Sequence, residues 1–257
     1  MADNVPILVT GAAGQLGAVG RTVTSLLLER GIPVRAMVRR EDDRAAALRA
    51  AGAEVIVGDL LEPADVYRVV SGCRRVYFGM SVSAGYLEAT VIMAAVGREV
   101  GIDVLVNMSQ MTVSQMSIQN TTPSRQQRQH WLSEQALAWS GLPVVTIRPT
   151  VFLEGFFLPL TGPRSQDMHA VAQEFSDALN CVVTYFDVPP DEWERELKRQ
   201  GLPDHLIGHV VTMGELHRAG RYDRMTDGVE RVTGRPAISV REFVALHAAE
   251  FGGRRCS

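Results

Sequence analysis

The stretch that most constrains this chain is Ile7-Leu8-Val9-Thr10-Gly11-Ala12-Ala13-Gly14-Gln15-Leu16-Gly17. An apolar run ends in glycines spaced three apart. A helix-like segment over 15–29 follows, and then a second apolar run, Ile32 to Val38. Strand, glycine turn, helix, strand is the context in which such a turn binds a dinucleotide. Gly11 can make the turn, Gly14 can let the backbone approach a pyrophosphate, and Gly17 can let the helix sit close to the sheet. Ala13, Gln15 and Leu16 complete the loop. Its free N–H groups lie at the positive end of the helix, where phosphate is favoured. A tight turn in an unrelated α/β protein would use the same glycines, so the triplet needs the rest of the chain.

The rest repeats the pattern. Apolar, β-branched runs at 5–10, 33–38, 53–57, 75–79, 102–107 and 143–147 alternate with helix-like segments at 15–29, 42–50, 62–70, 85–100 and 124–140. Nearly all-apolar runs suit parallel strands covered on both faces. Gly31, Gly52, Gly72, Gly101 and Gly141 each fall between a helix and the next strand, where a left-handed cap is needed. The expectation is an α/β fold: a Rossmann-type doubly wound parallel sheet over 1–155, with a small, mostly helical C-terminal domain over 156–257 on the substrate side. In that second part, helices are expected at 167–179, 190–199, 203–217, 222–233 and 239–251, and a strand at 182–186. Ser239 with Glu242 forms a capping-box pattern.

In such a sheet the chemistry sits at the carboxyl ends of the strands. After strand two comes Arg39, whose guanidinium can pair with a ribose 2′-phosphate or simply stand in solvent. NADP(H) is therefore favoured over NAD(H). Glu41, Asp42 and Asp43 look like the cap and first turn of the next helix. After strand three, Asp59 either accepts a bond from the adenine amine, with Leu60 against the ring, or caps the next helix. After strand four, Met80 and Ser81 leave room for the second ribose. After strand five, Met108 and Ser109 come next; Ser109 either bonds the nicotinamide-side ribose or a substrate oxygen, or ends the strand as a turn residue. The polar, methionine-bearing stretch 110–123 reads as a loop over the cleft. His130 and Glu134 are four apart and share a helix face, able to orient each other near the nicotinamide or to form a surface pair.

Composition excludes several classes. With a net charge of −3 and short basic patches, nothing marks a nucleic-acid surface. The stretch Leu142 to Leu160 contains Arg148, Glu154 and three prolines, a poor membrane span. Cys73, Cys181 and Cys256 show no disulfide spacing and suit a reducing cytoplasm, and no signal peptide is visible. His205 and His209 are four apart, with no third ligand to complete a metal set.

Taken together, Thr10 to Gly17, Val34 to Arg39, Gly58-Asp59-Leu60 and Ile147-Arg148-Pro149-Thr150-Val151-Phe152-Leu153-Glu154 resemble the NmrA-like family of atypical short-chain dehydrogenase/reductases. The resemblance implies NAD(P) binding by Gly11, Gly14 and Gly17, with Arg39 matching an arginine linked to NADP and Asp59 an adenine-side aspartate. It implies either quinone and azo-dye reduction, or a non-catalytic redox sensor acting through a protein partner. A small-molecule acceptor is the expected ligand, and a homo-oligomer is left open. Two departures stand out. The Tyr-x-x-x-Lys pair of the wider group is replaced by Gln126 and His130, which counts against ketone chemistry and an epimerase. Roughly 60 residues are missing around 158–161, where Leu158-Pro159-Leu160 runs directly into Thr161-Gly162-Pro163.

Overall fold

The structure, a computed structural model of the 257-residue chain, describes residues 5–14, 19–81, 83–149, 165–223 and 225–251, Glu250 by its backbone alone. The loop candidates Gln15, Leu16 and Gly17, and the motif residues 150–154 and 158–163, lie outside these.

Six apolar runs become six strands: β1 Ile7–Val9, β2 Val34–Val38, β3 Glu54–Val57, β4 Arg75–Phe78, β5 Val104–Met108 and β6 Val144–Ile147. They form one sheet in the order β3-β2-β1-β4-β5-β6. Every pairing is parallel, with Ile7 opposite both Val34 and Arg75. After β3 the chain therefore crosses to the other side of β1, so strand order reverses between β1 and β4.

Between the strands run α1 Val19–Glu29, α2 Asp43–Ala50, α3 Pro63–Val70, α4 Tyr86–Val100 and α5 Arg125–Trp139. The period-two alternation of the strands sorts them onto two faces. Leu8, Val76, Phe78 and Leu105 pack with Val66 and Val69 of α3, Met93 of α4 and Leu137 of α5. Val9, Val34, Ala36 and Val38 point the other way, against Val23 and Leu27 of α1 and Leu48 of α2. All five predicted capping glycines have positive φ, from 69° at Gly101 to 100° at Gly52. Asp42 caps α2 as expected, its carboxylate accepting from the backbone N–H groups of Arg44 and Ala45. Glu41 instead pairs with Arg49 at the far end of that helix.

The chain divides into two compact units, 1–148 and 149–257. The described part of the second is helical: α6 Met168–Leu179, α7 Pro190–Arg199, α8 Asp204–Arg218, α9 Gly228–Thr233, α10 Val240–Leu246 and α11 Ala248–Phe251. Val171 and Phe175 of α6 pack on Val240, Phe243 and Val244. Ser239 and Glu242 form the expected capping box.

Four expectations need correction. Residues 182–186 form no strand; Val182 and Phe186 are exposed, and no strand among the described residues pairs with them. The helix expected over 222–233 is confined to 228–233, entered through Asp227. The stretch 110–123 is only partly a loop: Met111–Gln115 is a turn of 3-10 helix whose Met111, Thr112 and Val113 are buried. Cys181 is disulfide-bonded, a pairing set by approach in space and so invisible in the spacing; Cys73 is free and buried. No described helix is long and apolar enough to cross a membrane.

Candidate functional site

The switch between β1 and β4 is fastened by one threonine. Thr10, at the end of β1, donates from Oγ1 to the carbonyl of Gly79 at 2.8 Å and accepts from the Gly79 N–H at 2.9 Å. Thr10 is fully buried, so both bonds lie out of water. The next residue, Gly11, turns with φ 68°, and a Cβ there would stand 2.8 Å from the Gly79 oxygen. Only glycine fits both the angle and the space. A Cβ on Gly14 would stand 3.1 Å from the Gly11 oxygen. The closest helix-to-loop approach among the described residues is at Gly20, where a Cβ would meet the Gly11 carbonyl at 2.7 Å. The glycine spacing runs on to Gly20 and is the signal that points to it. Arg44 of α2 donates to the Ala13 carbonyl at 3.2 Å and braces the loop from outside.

On the neighbouring strand ends, the Arg39 guanidinium stands 3.8 Å from the Asp59 carboxylate. The Arg39 side chain is 76% exposed, so it is available to a ligand, and an ion pair this open contributes only about 0–1 kcal/mol. Asp59 does not cap α3, whose N-cap is Glu62 with no side-chain bond; its Oδ1 accepts from the Leu61 N–H at 3.0 Å in the turn before the helix, while its own N–H donates to Asp65. Leu60 and Met80 both lie against the core of the α3–α4 face. Ser81 is exposed.

At the end of β5, Ser109 continues the pairing with β6 through its N–H to the Ile147 carbonyl at 2.8 Å. Its side chain is buried, and its Oγ has no hydrogen-bond partner; the same holds for Asn107 Oδ1 and Thr112 Oγ1. Orphaned buried oxygens cost about 1–3 kcal/mol each, so a cluster of them marks a place that a polar ligand or solvent fills. Met108 turns to the opposite face, toward the α1 side.

His130 and Glu134 do not orient each other. Glu134 is buried and held by Arg148, just past β6, at 2.5 and 3.0 Å. Pairing with Glu134 raises the Arg148 pKa above its ordinary value. His130 instead packs against the Tyr86 ring, centroids 4.1 Å apart and planes tilted by 52°, with its Nε2 at 3.2 Å from the Gln126 amide nitrogen. The reason is competition: a buried carboxylate takes the full cation within reach rather than a neutral ring. Tyr86 is itself buried and donates to the Met108 carbonyl at 2.9 Å, and burial raises its pKa far above the ordinary phenol range. Burial likewise pushes Tyr77, beneath Gly79, up to about 12. Both tyrosines stay protonated at neutral pH. Among the described residues, no cluster of His, Cys, Asp and Glu has metal-binding geometry.

A family model described as NAD(P)H-binding matches residues 11–167. An NAD(P)H azoreductase of Xenophilus azovorans is 24% identical, the alignment covering 96% of this chain and 99% of the relative. A (4-alkanoyl-5-oxo-2,5-dihydrofuran-3-yl)methyl phosphate reductase of Streptomyces griseus is 32% identical, covering 95% and 99%. An NADPH-dependent quinone oxidoreductase of Escherichia coli, solved with NADPH, shares the fold with a TM-score of 0.73 at 17% identity, over 94% of this chain and 99% of that one.

Proposed function

The chain belongs to the NAD(P)H-binding family, and on that premise we propose that it is an NADPH-dependent oxidoreductase acting on a small planar acceptor such as a quinone or azo compound. The observation that carries this reading is the strand-order switch itself, where Gly11 offers bare backbone beside Gly79 and an exposed Arg39 stands on the adjacent strand end. The relatives' names support the acceptor class, since one reduces azo compounds and another quinones.

The residues fit the cofactor. Gly11, Ala13 and Gly14 would take the pyrophosphate, Arg39 the 2′-phosphate, Asp59 and Leu60 the adenine, and Met80, Ser81, Met108 and Ser109 the nicotinamide half. The Ser109 hydroxyl, buried without a partner, would be free to bond a ribose or carboxamide. When bound, the nicotinamide supplies a hydride, which the acceptor takes together with a proton from solvent. The protein's part is to hold the two flat rings in register and exclude competing reactions, so proximity provides most of the rate.

We further propose the NmrA-like subgroup, with a nucleotide-binding domain over 1–155 and a shortened substrate-side domain over 156–257. A deletion is supported by the azoreductase alignment. It runs over 297 positions while 96% of this 257-residue chain takes part, leaving about fifty positions without a counterpart here. Gln126 stands where a proton-donating tyrosine would be needed for carbonyl reduction, which favours acceptors that need no protein acid.

Two assays test this. NADPH oxidation should accelerate when quinones or azo dyes are added; tight NADPH binding with no turnover would instead select a redox sensor. In Arg39→Glu, the KM for NADPH should rise about 10- to 100-fold with NADH little changed, because one charge-assisted bond is worth about 1.5–3 kcal/mol. An unchanged NADPH-to-NADH ratio would remove Arg39 from the site.

A further inference from the structure

Gln126 is buried, one turn before His130 on α5. Its amide can be oriented from its neighbours. The backbone N–H of Ser83 is a donor only, and it lies 3.2 Å from the Gln126 oxygen. The amide nitrogen is thereby left facing His130, at 3.2 Å from its Nε2. An amide nitrogen offers only hydrogens. For the contact to be a bond, His130 Nε2 must accept, and a ring nitrogen that accepts carries no proton. The imidazole is then neutral, with its hydrogen on Nδ1. Protonation would set two N–H groups head to head in a part-buried place.

Tyr86 and Glu134, among the described neighbours of the ring, do not oppose this. Tyr86, tilted against the imidazole with centroids 4.1 Å apart, spends its hydroxyl on the Met108 carbonyl and stays neutral. Glu134, one turn along, is engaged by Arg148. Gln129 adds a second stitch to the same loop, donating to the Ala84 carbonyl at 2.6 Å.

We infer that Gln126 is a positioning residue: it locks His130 as the neutral Nδ1–H tautomer and, with Gln129, fastens the Ser83–Ala84 segment that follows Met80 and Ser81. A role in turnover rests on the reductase reading above; the state of the imidazole does not. For the reductase, His130 serves as a hydrogen-bonding group and not as the source of the acceptor's proton.

The test is long-range 1H–15N correlation on cofactor-free protein with labelled histidine, His130 being assigned by its loss in His130→Asn. Wild type at pH 7 should show the Nδ1–H pattern. Gln126→Glu keeps an oxygen for Ser83 but presents a second oxygen to Nε2. It should move His130 to an Nε2-protonated or imidazolium signature, with proton affinity raised at least about tenfold. Gln126→Met should speed amide exchange at Ser83, whereas Gln126→Glu should not. An Nε2–H or imidazolium pattern in wild type overturns the inference, as does an unmoved His130 signal in folded Gln126→Glu; should that variant not fold, the wild-type spectrum decides alone. Nδ1–H signals in a protein that fails to oxidise NADPH with any quinone or azo dye would sink the reductase reading and leave this one standing.

Discussion

The Thr10 hydroxyl makes two bonds to the backbone of one residue, Gly79, and replacing it separates sterics from hydrogen bonding. Thr10→Val keeps the shape and strands the Gly79 N–H and carbonyl in a dry place, which should cost about 2–4 kcal/mol of unfolding free energy. Thr10→Ser should recover most of it. Urea unfolding of the two variants measures the difference; equal midpoints for wild type and valine would show that the clamp contributes nothing. At this scale the sequence was legible where a residue's role depends on backbone alone. Gly11 and Asp42 were read correctly because a positive φ or a helix cap is a local demand. The pairing of Glu134 was not, because its partner Arg148 lies beyond another strand and only the folded sheet brings it within 2.5 Å. Thr10 was passed over for the same reason: its partner is 69 residues away.

Helices and strands of the sheet were legible nearly to the residue, since burial on both faces leaves continuous apolar runs and every crossover ends on a glycine. The second unit was less so. The apolar run at 182–186 has strand composition but no sheet to join among the described residues, and β propensity without a pairing partner forms nothing. Two glycines inside helices allow opposite predictions. Gly20 in α1 has backbone atoms 2.7 Å from where a Cβ would go. Alanine gains about 1 kcal/mol in helix propensity there but cannot push a peptide aside, so overpacking of about 1–3 kcal/mol wins, and NADPH affinity should fall with stability. Gly208 in α8 has nothing within 4 Å of that position, so Gly208→Ala should stabilise by about 0.5–1 kcal/mol. Thermal melts with and without NADPH check both; stabilisation by Gly20→Ala would contradict the tight approach of α1 to the loop.

Across the molecule, the two units should respond differently to acid. In the second, burial lowers the His209 pKa from 6.5 to about 4. The unfolded chain takes up that proton as pH drops below 6.5, while the folded unit refuses it until about 4. Stability is therefore full above 6.5 and lost progressively down to 4, by at most about 3 kcal/mol. Hydrogen exchange at pH 7.5 and 4.5 should show α8 and its neighbour α7 loosening, and His209→Gln should flatten that dependence. Uniform loosening of both units would place the acid sensitivity elsewhere.

The close contacts around Gly11 carry an evolutionary corollary. Gly11 and Gly20 each have backbone where a methyl would need to be, so ordinary point changes there are closed to drift. Arg39, mostly in solvent and lightly tethered, is under no such restraint. With the 2′-phosphate role proposed for Arg39, descendants of this chain would switch between phosphorylated and plain dinucleotide by altering a single outward-facing side chain, while losing the handle altogether would demand that the loop and its helix be rebuilt at once.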